Sequence, residues 1–303
     1  MHLYKPAEPA LAVITKSELC TNGKKAAGFV RHIEFDVSGS DLVGKCIPGQ
    51  SIGVIPQGLD AQGKPHKLRL YSLASPTAGE DGQGRVLSTT VKRTIDEHWD
   101  SHQLFLGVCS NYLCNLKPGD QIRVSGPNGK RFVLPQDVNA HDYLFFATGT
   151  GIAPFRGMLL DLLAAGCTRQ IVLVMGSPYT TDLLYHDFFV RIASEHPNFT
   201  YLTAVSRERN DQHDRLYVQD RLRTDVDRLT PVLTGGKALL YICGLAGMEL
   251  GIFQELALRL NPSALEHFLQ VDREALSDIR RWSRSMIHKE VRPTRNVFME
   301  VYA

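Results

Sequence analysis

The chain has 303 residues, 43% of them hydrophobic and 22% charged, with a net charge of +2 and a pI near 8.2. That length suits two domains, each with a core of useful size, and the charge is too mild to point to nucleic acid or a membrane surface. No stretch approaches the roughly 20 consecutive apolar residues that span a bilayer, so stable membrane insertion is not expected. The first ten residues hold two prolines and no apolar region, unlike a secretory signal, and they lack the Ser/Arg-rich character of a transit peptide. The expectation is a bacterial cytosolic protein or a mature form left after processing. Cys20, Cys46, Cys109, Cys114, Cys167 and Cys243 are scattered without a C-x-x-C. Cys109 and Cys114 lack partners for a zinc or iron–sulfur set, so reduced thiols and no metal are expected.

The first half reads as β-structure. Leu11–Leu19, Phe29–Asp36, Ser51–Ile55, Leu68–Leu73, Val86–Lys92 and Gln121–Ser125 are short segments rich in Val, Ile, Phe or Tyr, separated by Gly, Pro and Asn turns, the pattern of a sandwich or small barrel. After Pro135–His141 the rhythm changes. Tyr143–Thr148, Ile171–Met175, Phe199–Val205 and Ala238–Ile242 read as strands. Pro154–Ala165, Leu183–Glu195, Val218–Leu229 and Met248–Leu260 read as helices between them. Alternating strand and helix predicts a parallel sheet with covering helices. The expected domains are therefore 1–138, an antiparallel β-barrel, and 139–303, a Rossmann-like α/β domain.

Five motifs carry chemistry. Thr148-Gly-Thr-Gly-Ile-Ala-Pro154 lies between a strand and a helix, where Gly149 and Gly151 allow an anion close to the helix N-terminus; packing alone can also demand such glycines. Arg69-Leu70-Tyr71-Ser72 offers a guanidinium fork, a flat ring and a hydroxyl, or a plain strand edge. Gly107-Val108-Cys109-Ser110 opens a short helix that Ser110 can cap, leaving free N–H groups for a phosphate. Ala204-Val205-Ser206-Arg207, then Arg215-Leu216-Tyr217, suit a phosphorylated ribose beside an adenine, or form a solvated loop in which Glu208, Asp211 and Asp214 balance the arginines. Tyr241-Ile242-Cys243-Gly244 ends another strand, where a cysteine is either functional or core.

In this order the motifs resemble the plastid-type ferredoxin–NADP reductases. Gly63–Ser75, Gly107–Asp120, Gly149–Arg156, Leu183–Tyr185, Ala204–Glu208, Tyr241–Glu249 and the tail Glu300-Val301-Tyr302 carry the likeness. It implies an FAD-binding barrel followed by an NADP(H)-binding α/β domain, with ferredoxin or flavodoxin as partner. By that likeness Arg69, Tyr71 and Ser72 would hold the flavin, with Ser72 near N5, and Gly107, Val108, Cys109 and Ser110 would receive the FAD pyrophosphate. Lys92 would face the nucleotides, and Thr150, Gly244 and Leu245 would line the NADP site. Ser206, Arg207, Arg215 and Tyr217 would read the 2′-phosphate and adenine, and Gln219 would also belong to the cofactor-binding set. Cys243 and Glu300 would border hydride transfer, and Tyr302 would cover the flavin until nicotinamide displaces it. The implied location is bacterial cytoplasm, or plastid stroma for a processed form.

Three features depart from the family pattern. Asp96 stands where an aromatic usually stacks on the FAD adenine, with Trp99 as a nearby substitute. Ala303 follows the tyrosine that ends plant-like members. The segment from about Asn261 to Asn296 is longer than usual and holds Arg280, Arg281, Arg284, Arg292 and Arg295, which read as a solvated helix face or, alternatively, a partner-docking surface. Two other functions compete: the reductase component of an oxygenase, and a flavin- and nucleotide-binding interaction protein without turnover. Retention of Ser72, Cys243, Glu300 and Tyr302 argues against the second.

Overall fold

The computed structural model describes residues 3–21, 29–209 and 215–302; Asp211, Asp214 and Ala303 lie outside them. The chain divides into two units. The first comprises Met1–Leu134 with Ala153–Ala164, and the second Pro135–Ile152 with Ala165–Ala303. The first unit thus ends a few residues before 138, and the expected helix after the glycine turn counts with it.

In the first unit the strands are β1 (Ala10–Leu19), β2 (Val30–Asp36), β3 (Ser51–Ile55), β4 (Arg69–Ser72), β5 (Val86–Lys92), a short hairpin of β6 (Ile95–Glu97) and β7 (Leu104–Leu106), and β8 (Gln121–Asn128). Six of them form one antiparallel sheet in the order β4-β3-β8-β1-β2-β5. Its ends meet: Leu73 bridges Thr89, the Thr89 hydroxyl donates to the Ser72 carbonyl at 2.8 Å, and the Ala74 N–H donates to the Ser88 carbonyl at 2.8 Å. The sheet closes into a barrel, which removes its free edges. Alternation drives it. Ala10, Ala12 and Ile14 of β1 are buried while Leu11 and Val13 are exposed, so one face of each strand meets Ile33, Phe35, Val54, Leu87 and Val124 inside. Helix α1 (Val108–Asn115) buries Cys109, Leu113 and Cys114 in the same core.

Helix α2 (Ala153–Ala164) is fastened to barrel residues by charge. Arg156 donates to both oxygens of Glu80, at 2.6 and 3.0 Å, and to the Ala74 carbonyl at 2.9 Å. The Thr77 hydroxyl and N–H donate to Asp161 at 2.6 and 2.8 Å.

The second unit holds five parallel strands in the order β11-β10-β9-β12-β15: β9 (Asp142–Thr148), β10 (Ile171–Ser177), β11 (Phe199–Val205), β12 (Ala238–Leu245) and β15 (Val297–Tyr302). Central strands of such a sheet are buried on both faces and read as continuous apolar runs; β10 is buried throughout, and β12 up to Gly244. Strand order reverses between β9 and β12, the place where an open α/β sheet receives its ligand, outside the carboxyl ends. Helix α3 (His186–Glu195) starts later than expected, because Tyr185 sits at φ +54 after a 3₁₀ turn at Thr180–Asp182. The expected single helix Val218–Leu229 is instead a 3₁₀ turn (Val218–Asp220), α4 (Arg221–Thr224) and α5 (Val226–Thr234). Arg221 holds the break at Asp225, donating to its carboxylate at 3.0 Å and to the Thr203 carbonyl at 2.8 Å.

After α6 (Met248–Arg259), the long segment forms α7 (Pro262–Phe268), β13 (Leu269–Val271), α8 (Arg273–Leu276) and β14 (Val291–Pro293), with β13 and β14 antiparallel. This corrects the reading of a solvated helix face. Leu265, Phe268, Leu269, Ala275, Trp282 and Val291 join the hydrophobic core of the second unit. Arg280, Arg281, Arg284, Arg292 and Arg295 fall outside α-helices; Arg284 pairs with the buried Glu249 at 2.8 Å and Arg292 with Asp272 at 2.7 Å.

Candidate functional site

In the first unit, strand β4 presents Arg69 and Leu70 exposed and Tyr71 and Ser72 half-buried. The Tyr71 ring packs on the barrel core, and its phenol is pushed well above its ordinary range by burial and then by the neighbouring Cys109. That contact brings β4 to the start of α1. Helix α1 begins at Gly107 with no side-chain cap, so its first N–H groups remain available to an anion. Ser110 is not the cap expected from sequence. It lies inside α1, where its hydroxyl donates to the Gly107 carbonyl at 3.2 Å and accepts from the Thr94 N–H at 3.1 Å. The Ser72 hydroxyl makes no hydrogen bond among the described residues, and neither Arg69 nor Lys92, both exposed, makes an ion pair there. Trp99, 93% exposed, lies between β6 and β7, while Phe105 is the register partner of Asp96 in that hairpin.

In the second unit, the residues expected to line the dinucleotide site gather at the carboxyl edge of the parallel sheet. The glycine turn Gly149–Ile152 follows β9 as a 3₁₀ turn leading into α2. Close approach requires two of the glycines. A Cβ on Gly151 would stand 2.1 Å from the Cys243 carbonyl oxygen, and one on Gly244 (φ +146) would stand 2.1 Å from Thr148 Oγ1. Sequence reasoning did not single out the role of Thr148. Its hydroxyl accepts from the Leu245 N–H at 2.8 Å and approaches the Met248 sulfur at 3.3 Å, stitching β9 to β12 and the start of α6. A threonine ending a strand before glycines is the only signal for it.

Cys243 and Glu300 are register partners on β12 and β15. Cys243 is buried, and burial followed by the neighbouring Glu300 raises its thiol pKa, so the thiol stays protonated. Burial pushes the Glu300 carboxyl up to about 7, within reach of proton exchange at neutral pH. Two residues on, the Tyr302 hydroxyl lies 2.8 Å from Thr150 Oγ1.

Along the same edge, Ser206 and Arg207 follow β11. The Ser206 and Arg207 N–H groups donate to the Ser177 and Pro178 carbonyls at 3.1 and 2.9 Å, and the exposed Arg207 guanidinium lies 6.0 Å from the Tyr179 ring centre. Arg215 and Tyr217 are exposed, and Tyr217 is fixed by its N–H donating to Asp220 at 2.8 Å. The acid nearby is occupied: Glu208 accepts from the Thr180 hydroxyl and N–H at 2.8 and 3.0 Å. Arg207 and Arg215 form no ion pair among the described residues, leaving two guanidiniums for a dianion. Gln219 packs its amide against Gly251 of α6.

A barrel unit and a parallel α/β unit, the latter with a glycine turn and a cysteine–carboxyl pair at its carboxyl edge, define a nucleotide-dependent oxidoreductase of the two-domain kind. Residues 145–253 match the oxidoreductase NAD-binding domain family. The chain is 40% identical over 260 residues to a ferredoxin–NADP reductase of Spirulina sp, covering 83% of this chain and 87% of that protein. It is 39% identical over 259 residues to the chloroplastic leaf isozyme 1 of Arabidopsis thaliana, covering 82% and 69%. Against the Synechocystis sp. relative, 40% identical, it spans 62% of the relative's length. A solved structure of ferredoxin-NADP+ reductase from Plasmodium falciparum shares the fold, with a TM-score of 0.73, 23% identity and coverage of 99% and 98%. The chain belongs to the ferredoxin–NADP reductase family.

Proposed function

We propose that this protein is an FAD-dependent reductase that exchanges hydride with NADP(H) and single electrons with a small redox protein, ferredoxin or flavodoxin. The carrying observation is the gathering of Thr150, Cys243, Glu300 and Tyr302 at the carboxyl edge of the parallel sheet. A plain nucleotide-binding module has no use for a neutral thiol beside a carboxyl that titrates near pH 7.

The residues of the first unit fit FAD. The start of α1 has no side-chain cap, the Tyr71 ring stands beside it, and Arg69 and Lys92 make no ion pair among the described residues. Tyr71 and Ser72 would hold the flavin ring, and the N–H groups of Val108 to Ser110 its pyrophosphate. Bound FAD supplies the conversion between two-electron and one-electron transfer, and the protein supplies position and electrostatics.

In the second unit the glycine turn binds the NADP pyrophosphate. Ser206, Arg207, Arg215 and Tyr217 read the 2′-phosphate and adenine, with the guanidiniums as forks for the phosphate. Cys243 offers an uncharged, close-packed surface for the nicotinamide, and Glu300 holds or releases a proton as the neighbouring charge changes. The protein acts in a cytoplasm or a plastid stroma; among the described residues no helix is long and apolar enough to cross a membrane.

The test is the visible spectrum of the purified protein, then anaerobic bleaching by NADPH and by NADH. A yellow protein bleached quickly by NADPH and poorly by NADH supports the reading. Equal bleaching by both removes the 2′-phosphate assignment, and bleaching by neither removes the reductase.

A further inference from the structure

Strand β15 ends against the glycine turn that follows β9. The Tyr302 hydroxyl lies 2.8 Å from Thr150 Oγ1 and 3.5 Å from the Thr148 carbonyl, the second at the far edge of hydrogen-bond range. The Gly151 N–H also interacts with this phenol oxygen. Of these contacts only the one to Thr150 Oγ1 is at full hydrogen-bond distance, so it carries most of the hold on the hydroxyl. The main chain is fixed separately. Ala246 N–H donates to the Tyr302 carbonyl at 2.8 Å, and β15 pairs with β12 from Val297 to Tyr302. The strand can leave only by losing that whole row of sheet bonds. The ring, 41% exposed, needs only a side-chain rotation once its hydroxyl is free.

We infer that Thr150 is a positioning residue that latches Tyr302 in place, so that the strength of one hydroxyl–hydroxyl contact sets how often the nicotinamide position is vacated. This rests on the reductase reading, in which Tyr302 stands where nicotinamide binds. A ligand that needs the open state binds with its intrinsic affinity reduced by the open fraction. Loss of one hydrogen bond changes such a population by about five-fold. Only ligands carrying nicotinamide meet the latch. The adenine half, 2′,5′-ADP, engages Ser206, Arg207, Arg215 and Tyr217 and leaves Tyr302 in place.

The experiment is calorimetric titration of the FAD-loaded enzyme with NADP+ and with 2′,5′-ADP, in the wild type and in Thr150→Val, Thr150→Ser, Tyr302→Phe and the Thr150→Val/Tyr302→Phe double variant. The latch predicts that Thr150→Val and Tyr302→Phe each tighten NADP+ by about five-fold and leave 2′,5′-ADP unchanged. Thr150→Ser keeps wild-type affinity, and the double variant binds no more tightly than either single one. The latch is overturned if Thr150→Val weakens or does not change NADP+ binding, if 2′,5′-ADP shifts in parallel, or if the two substitutions add. Wild-type enzyme that binds 2′,5′-ADP and is bleached by NADPH while Thr150→Val behaves identically sinks the latch alone. Wild-type enzyme that binds neither ligand sinks the reductase reading and the latch with it.

Discussion

Cys243 and Glu300 stand side by side on β12 and β15 at the carboxyl edge of the parallel sheet, each in surroundings that disfavour its ionised form. A carboxyl raised from 4.5 to about 7 by burial gives the fold a proton-linked contribution. That stability is full below the unfolded value and is lost as pH rises toward and through 7. Urea midpoints measured between about pH 5 and pH 8 should therefore fall with rising pH more steeply in the wild type than in Glu300→Gln. Parallel slopes in the two proteins would remove the assignment.

The thiol itself makes a second prediction. Cys243 is buried and neutral, so its value to the reaction is shape and position rather than nucleophilicity. Cys243→Ala leaves a gap in the buried pair with Glu300, where the proposed function puts the nicotinamide, and should lower kcat for NADPH-driven acceptor reduction by about a hundred-fold, a loss of alignment at the reacting centre. KM for NADPH should change little, because the proposed 2′-phosphate readers, Ser206, Arg207, Arg215 and Tyr217, follow β11 and not β12. Steady-state kinetics separates the two; a rise in KM with kcat unchanged would make Cys243 a binding residue instead.

Most of this edge was legible in the sequence because each motif combines a strand end with a residue type that strands rarely need. Gly244 after an apolar run and Arg207 after Ala204-Val205 stand out against a core pattern. The barrel strands were legible through alternation, since Ala10, Ala12 and Ile14 point one way and Leu11 and Val13 the other. What failed depended on tertiary partners. Ser110 has the composition of a cap, but Thr94 and the Gly107 carbonyl claim its hydroxyl inside the helix. The break between α4 and α5 follows from Arg221 of α4 reaching the Thr203 carbonyl on β11, which local periodicity does not encode. The segment after α6 looked like a charged surface helix because its apolar residues are spread over short elements, and only folding brings Phe268, Trp282 and Val291 into one core.

Selectivity for the 2′-phosphate should follow the guanidiniums. Arg207 and Arg215 have no ion pair among the described residues, and Glu208 is held by Thr180. Arg207→Ala should raise KM for NADPH by about ten-fold, the loss of one charge-assisted hydrogen bond, and leave NADH turnover unchanged. Thr180→Val should lower selectivity less, by freeing the Glu208 carboxylate near the phosphate. The comparison of kcat/KM for the two nucleotides checks both; an equal loss with NADH would assign these residues to packing.

The last prediction concerns Arg156, which follows the glycine turn in sequence yet spends its charge on the barrel unit. Its guanidinium forks onto Glu80 at 2.6 and 3.0 Å, with both side chains largely buried, and Glu80 also accepts from the Ser88 hydroxyl at 2.6 Å. His32, buried, lies 3.8 Å from Glu80 and 3.3 Å from Glu34. Removing one member of a buried pair leaves the other uncompensated, which costs more than the pair contributes when intact. Arg156→Met should lower unfolding free energy by about 3 kcal/mol. The double variant Arg156→Met/Glu80→Gln should recover part of that loss, because the carboxylate no longer carries an unbalanced charge. Chemical denaturation of the four proteins in a double-mutant cycle measures the coupling. If both substitutions instead add, the role of Arg156 is the hydrogen bond to the Ala74 carbonyl, and the charge network is incidental to stability.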